Sequence, residues 1–143
     1  MKYLFCFLFF TCSLLTFSQE TEEVPFAIIE DVPVYKGCDE SMSSKDLKKC
    51  MSSSISNVVA KNFNVKLAKK LNLPDGKVKI MATFKVGEKG EIRDIKVKAP
   101  HRKLEKETIR VLKLIPDLEK PGYLRGKPVI VPYALPIIFN VQN

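Results

Sequence analysis

The sequence has little of what catalytic and metal sites are built from. Among 143 residues there is one histidine, no tryptophan and four cysteines. A single imidazole excludes a histidine-rich metal site and leaves few groups for acid–base catalysis near neutral pH. There is also no glycine-rich phosphate loop, no G-x-S-x-G motif and no metal-ligand spacing. The sequence therefore predicts a non-enzymatic protein with no metal and no cofactor.

The first eighteen residues have the pattern of a secretory signal peptide. A short basic start at Lys2 precedes an apolar run over 3–17, and Thr16 and Ser18 form a small-residue cleavage site. The run is shorter than the roughly 20 residues that a membrane-spanning helix needs. We therefore predict cleavage between Ser18 and Gln19 and a periplasmic or secreted protein, with an uncleaved membrane anchor as the alternative.

Export changes how the cysteines are interpreted. Cys6 and Cys12 would leave with the signal peptide, so Cys38 and Cys50 remain. An even pair in an oxidising compartment predicts a disulfide. The alternative is a reactive thiol, which the acidic neighbours of Cys38 disfavour.

The rest of the chain divides into an extended segment over 19–44 and a folded domain over 45–143. Ser43 and Asp46 form a capping box for a helix that ends near Asn62, and residues 66–71 predict a second, short helix. Later elements follow from alternation, helical spacing and proline: strand 77–86, strand 92–99 with a bulge near Arg93-Asp94, helix 104–115, loop 117–127 and strand 128–141.

This order predicts an α+β fold in which one sheet carries all the helices on one face. The two consecutive strands form a hairpin, and the third helix returns the chain so that the last strand lies beside the first. The predicted sheet has three antiparallel strands in the order 2-1-3.

The last strand has prolines at alternate positions, namely Pro128, Pro132 and Pro136. Because successive N–H groups point to opposite sides of a strand, one side lacks three donors and should be the free edge. The prolines either only prevent aggregation or restrict a partner chain that pairs there through the N–H groups of Ile130 and Ala134. The predicted partner-binding strand comprises Val129, Ile130, Val131, Tyr133, Ala134, Leu135 and Ile137.

The opposite, outward face of the predicted sheet is basic, and the chain has a formal net charge of +8. Its lysines are Lys77, Lys79, Lys85, Lys96 and Lys98. This pattern is typical of a solvated face or of a surface for polyanions. Export and the lack of stacking aromatic residues exclude nucleic acid as the partner. His101 has no ligand partners in the sequence and is predicted to lie on the surface or to cap a helix.

From Glu23 onward the sequence resembles the TonB C-terminal domain family, in the version exported by Bacteroidetes-type bacteria. The matching pieces, in order, are DVPVYKGC (31–38), KKC (48–50), KNF (61–63), GKV (76–78), Phe84-x-x-Gly87-x-x-Gly90, LE (104–105), IP (115–116), PG (121–122), GKPV (126–129) and VPYxxPI (131–137).

The resemblance implies a function for the free edge. Domains of this family grip an extended segment of an outer-membrane transporter by adding it to their sheet as a strand, so the implied partner is such a segment or one from another envelope protein. Two alternatives remain at this point: an envelope assembly protein that self-associates, for example as a homodimer, and an anchored energy transducer with an uncleaved N-terminal helix.

Overall fold

The computed structural model describes residues 22–142, and the predicted signal peptide lies outside them. The elements are α1 (Ser44–Asn62), α2 (Lys66–Lys70), β1 (Gly76–Val86), β2 (Ile92–Lys98), α3 (Arg102–Leu112), β3 (Gly122–Leu124), β4 (Lys127–Val129) and β5 (Val131–Val141). Within the described part of the chain, no helix is long and apolar enough to cross a membrane.

The main sheet has three antiparallel strands in the order β2-β1-β5. This confirms the predicted α+β class and strand order. The β1–β5 ladder is continuous from the pair Gly76–Val141 to the pair Val86–Val131. The β1–β2 ladder contains the predicted bulge, where Asp94 adopts a φ of 55° between the pairs formed by Thr83 and Lys85.

The core lies on one face of this sheet, beneath the helices. Alternate residues of β1 are buried, and they pack with the apolar faces of α1 and α3 in one cluster. The buried helical residues are Leu47, Met51, Ile55 and Val59 in α1, and Leu104, Thr108, Val111 and Leu112 in α3. The lysines of β1 and β2 point away from this core, as their alternation predicts.

The start of α1 is fixed by two local features that the sequence predicts. Ser43 is the N-cap, and its hydroxyl accepts the backbone N–H of Asp46 at 3.2 Å. Cys38 and Cys50 form a disulfide with a Cα–Cα distance of 6.1 Å. This bond fastens the loop before the helix to the second turn of α1.

The predicted last strand over 128–141 is divided in the structure. Val129 belongs to β4 and pairs with Gly122, whereas Val131 begins β5 and pairs with Val86. The predicted loop over 117–127 thus contains half of a small hairpin, which turns at Arg125 and Gly126, both with positive φ. Ile130 separates the two strands and is free to pair with a different segment.

The end of α1 is tied to α3 by hydrogen bonds from an ion pair that lies within α3. Arg110 donates to Glu107 at 2.7 Å and to the carbonyl oxygen of Asn62 at 2.9 Å, and Glu107 also accepts the N–H of Asn64 at 3.0 Å. Hydrogen bonding from Arg110, followed by that from Asn64, lowers the pKa of the Glu107 carboxyl below its ordinary 4.5 despite partial burial.

Replacing Glu107 with Gln should therefore lower the free energy of unfolding by about 1–2 kcal/mol at pH 7. Because the folded-state pKa is depressed, the stabilisation is present above about pH 4.5 and is lost as pH falls through the folded-state value. Urea unfolding of E107Q and wild type at pH 7, 4.5 and 3 should show a difference that shrinks with acidification. A pH-independent difference would contradict this origin, and the exposed loop variant Glu88→Gln is the control.

Candidate functional site: the open edge of β5

One edge of the main sheet, along β5, carries no paired strand among residues 22–142. The register places Pro132 opposite Lys85 and Pro136 opposite Met81 in an unbroken ladder. Proline has no N–H to give to a ladder, so these ring nitrogens face away from β1. Even-numbered residues of β5 therefore direct their backbone groups outward: carbonyl oxygens at every even position from 132 to 140, and N–H groups at Ala134, Ile138 and Asn140.

The upstream end of this edge is occupied by the chain's own N-terminal segment. The N–H of Val24 donates to the carbonyl oxygen of Ile130 at 2.9 Å, and the N–H of Ile130 donates to Glu22 at 3.1 Å. Glu23 is ion-paired with Lys85 at 2.6 Å, and this contact raises the pKa of the Lys85 ammonium. The backbone of Ile130, expected to serve a partner, is thus already hydrogen-bonded within the chain.

A groove runs along the open part of the edge, between β5 and α1. It consists of two adjoining cavities of about 480 and 360 Å³ that share Ser56, Leu135 and Pro136 in their walls. Along α1 the wall is a row of residues spaced four or three apart: Ser52, Ser56, Ala60 and Phe63. Three of these side chains are small, which leaves room beside the strand.

Phe26 lines the upstream end of the groove. Its ring centroid lies 6.4 Å from that of Tyr133, and the ammonium of Lys48 sits 4.5 Å above the Phe26 ring. The hydroxyl groups of Ser52 and Tyr133 are hydrogen-bonded to each other. The N-terminal segment, α1 and β5 therefore meet at one point, and the groove opens from there toward Phe139.

The structure separates the residues predicted for the partner-binding strand into distinct environments. Val129 lies in β4 and Ile130 pairs with the N-terminal segment. Val131, Tyr133 and Leu135 have buried side chains on the core face, while Ile137 is half-buried in the groove wall. Ala134 is exposed and presents its N–H to the open edge.

Sequence reasoning missed the α1 wall, Phe26 and the two downstream donors, Ile138 and Asn140. The small residues at 52, 56 and 60 recur at helical spacing, so this stripe could have been found from the sequence. Phe26 could not, because its contacts with Lys48 and Tyr133 join positions far apart in the chain.

Other candidate groups lie apart from the groove. His101 is the N-cap of α3, and its Nδ1 accepts the N–H of Lys103 at 3.1 Å, which confirms the predicted capping role. Across residues 22–142, no three His, Cys, Asp or Glu side chains are arranged to hold a metal ion. The groove itself presents the backbone hydrogen-bonding groups of β5 beside a largely apolar wall.

Comparison with family models, with curated proteins and with solved structures finds no match for this chain.

Proposed function

We propose that this protein is a non-enzymatic module that binds an extended segment of another polypeptide by adding it as a fourth strand beside β5. The observation that carries the proposal is the open edge over 132–140 with a groove along the same residues. In strand addition, main-chain hydrogen bonds supply affinity and pockets for alternate side chains supply selectivity. The edge offers the main-chain hydrogen-bonding groups, and the groove offers space for the alternate side chains.

The dimensions of a sheet agree with this arrangement. A fourth strand would lie about 4.8 Å beyond β5, and every second side chain would point to the face covered by α1. Those side chains would enter the space beside Ser56 and Ala60. Pro132 and Pro136 supply carbonyl acceptors only, so they restrict which register a partner can adopt.

The partner is proposed from the cellular setting that the sequence predicts. An exported chain with an oxidised cysteine pair would meet envelope proteins, and the resemblance noted above favours an extended segment of an outer-membrane transporter. The proposed role is therefore attachment to a transporter or to another envelope protein, in association with TonB-dependent transport. Homodimerisation through the same edge is the competing function.

Replacing Ser56 with Trp should fill the groove and reduce the affinity for such a segment by at least about tenfold, a loss of roughly 1.4 kcal/mol. Ser56 is exposed and lines both cavities, so the fold should be unaffected. Peptides from the N-terminal segments of outer-membrane transporters of the same organism would be titrated into isotope-labelled protein. In the wild type, the amide signals of Ala134, Ile138 and Asn140 should shift.

The matched control is Ser53→Trp, because Ser53 is exposed on the same helix but lines neither cavity. Equal affinity of both variants would place binding outside the groove. If no transporter peptide shifts the three amides and sedimentation shows a stable dimer that S56W disrupts, self-association replaces the proposed function.

A further inference from the structure

The open edge of β5 has a second depression on its other side, on the outer face of the sheet. This depression has a volume of about 280 Å³ and is lined by residues that include Glu23, Thr83, Lys85, Asp94, Lys96, Pro132 and Ala134. A strand added to β5 would therefore be flanked by two different surfaces. One is the groove beneath α1, and the other is this outer depression.

The sheet face around the outer depression is positively charged, whereas the depression itself is lined by two lysines and two carboxylates. Lys85 is neutralised by Glu23 at 2.6 Å and Asp94 at 3.5 Å. Lys96 has no ion-pair partner within residues 22–142, and the same holds for the outward lysines at 77, 79 and 98. Four cationic side chains on one face thus lack a counter-charge from the described chain.

The register brings part of this charge close to the open edge. In β1, Lys79 lies opposite Ile138 of β5 and Lys77 lies opposite Asn140 of β5. Further along β1, Thr83 pairs with Ala134 of β5. On its other side, Thr83 pairs with Lys96 of β2. The outward side chains of β5 near the depression are short or cyclic, at Ala134 and Pro132. Alternate strands are separated by about 10 Å, so a lysine of β1 that leans over β5 approaches the outward side chains of an added strand.

Two unlike surfaces on the two faces of one strand specify a pattern in the partner. Side chains of a strand alternate between the faces, so every second residue would meet the groove beside α1 and the others would meet the lysines. We infer that the partner is an extended segment in which apolar residues alternate with acidic ones, its carboxylates facing the outer lysines. The inference rests on the proposed strand addition and adds the chemistry of its ligand.

Three synthetic octapeptides test this pattern on the full exported chain. All have Val at alternate positions, and the intervening positions are Glu, Gln or Lys. Carboxylates paired with lysines across strands should favour the Glu peptide over the Gln peptide by about tenfold in 50 mM salt, and the Lys peptide should bind weakest. In 0.5 M salt the difference between Glu and Gln should largely disappear.

Protein variants assign the effect to the outer face. Lys77→Gln and Lys79→Gln, on the strand next to β5, should each weaken the Glu peptide by about threefold and leave the Gln peptide unchanged. Lys106→Gln, on the exposed side of α3, is the control and should change neither.

The outcomes separate this inference from the function on which it rests. If all three peptides shift the amides of Ala134, Ile138 and Asn140 with equal, salt-independent affinity, strand addition stands and the acidic pattern is overturned. If none of them shifts these amides while transporter peptides without acidic alternation do, the pattern is again overturned. If no peptide of either kind shifts them, the proposed function fails together with the inference.

Discussion

Replacing both Cys38 and Cys50 with Ala should lower the free energy of unfolding by about 3 kcal/mol and the melting temperature by roughly 10 °C. The bond joins residues 12 apart in sequence. Without it, the unfolded chain regains the conformational freedom of that loop, and the loop before α1 loses its attachment to the helix. The measurement is urea and thermal unfolding of C38A/C50A beside the wild type.

Reduction of the wild type provides the control for side-chain volume. The reduced protein and the double variant should lose similar stability, and adding reductant to C38A/C50A should change nothing. A loss below about 1 kcal/mol would show that the unfolded state is not appreciably constrained by this bond. Under the proposed function, the oxidised and the reduced protein should bind the partner segment equally, because neither cysteine lines the groove.

The helices and the central hairpin could be predicted from the sequence because their signals are local. The Ser43 cap, the strict alternation over 77–86 and the slip of parity between Ile92 and Ile95 each act within a few residues. The structure places a helix start, a half-buried strand and a bulge at those positions. Sheet order then followed from the length and direction of the connections.

The end of the last strand could not be predicted in the same way. Residues 128–141 alternate as one strand, and nothing in that pattern shows that Val129 prefers Gly122 while Val131 prefers Val86. The break at Ile130 depends on two other segments, since Ile130 exchanges hydrogen bonds with Glu22 and Val24. Which strand each residue pairs with depends on tertiary contacts, and the alternation within residues 128–141 carries no information about those contacts.

The candidate site also combines a feature that the sequence predicts with one that it does not. The free side of β5 is encoded by Pro132 and Pro136, because the lack of an N–H is a property of the residue itself. The groove is formed by α1 lying beside the strand, and its upstream end depends on Phe26, which is distant in sequence from Lys48 and Tyr133. The hydrogen-bonding groups of the edge could therefore be predicted from the sequence, whereas the shape of the groove beside it could not.

Replacing Gly90 with Ala should cost about 3 kcal/mol of stability, because two separate penalties apply at this turn. Gly90 has a φ of 85°, where an L-residue is strained by about 1–2 kcal/mol. An added Cβ would also overlap the carbonyl oxygen of Leu118 and lie 3.1 Å from its carbonyl carbon. The Leu118 segment must then move, which disturbs the 2.8 Å hydrogen bond from its N–H to the carbonyl oxygen of Gly90.

Gly37→Ala separates the two penalties. Gly37 has a nearly identical φ of 90°, but an added Cβ there would meet no atom within 4 Å. This variant should lose only the backbone term of about 1–2 kcal/mol, and the excess loss in G90A then measures the contact with Leu118. Equal losses in urea unfolding would mean that the loop after α3 yields without cost. A larger loss in G90A would establish that the β1–β2 turn holds that loop, which leads directly into the hairpin preceding β5.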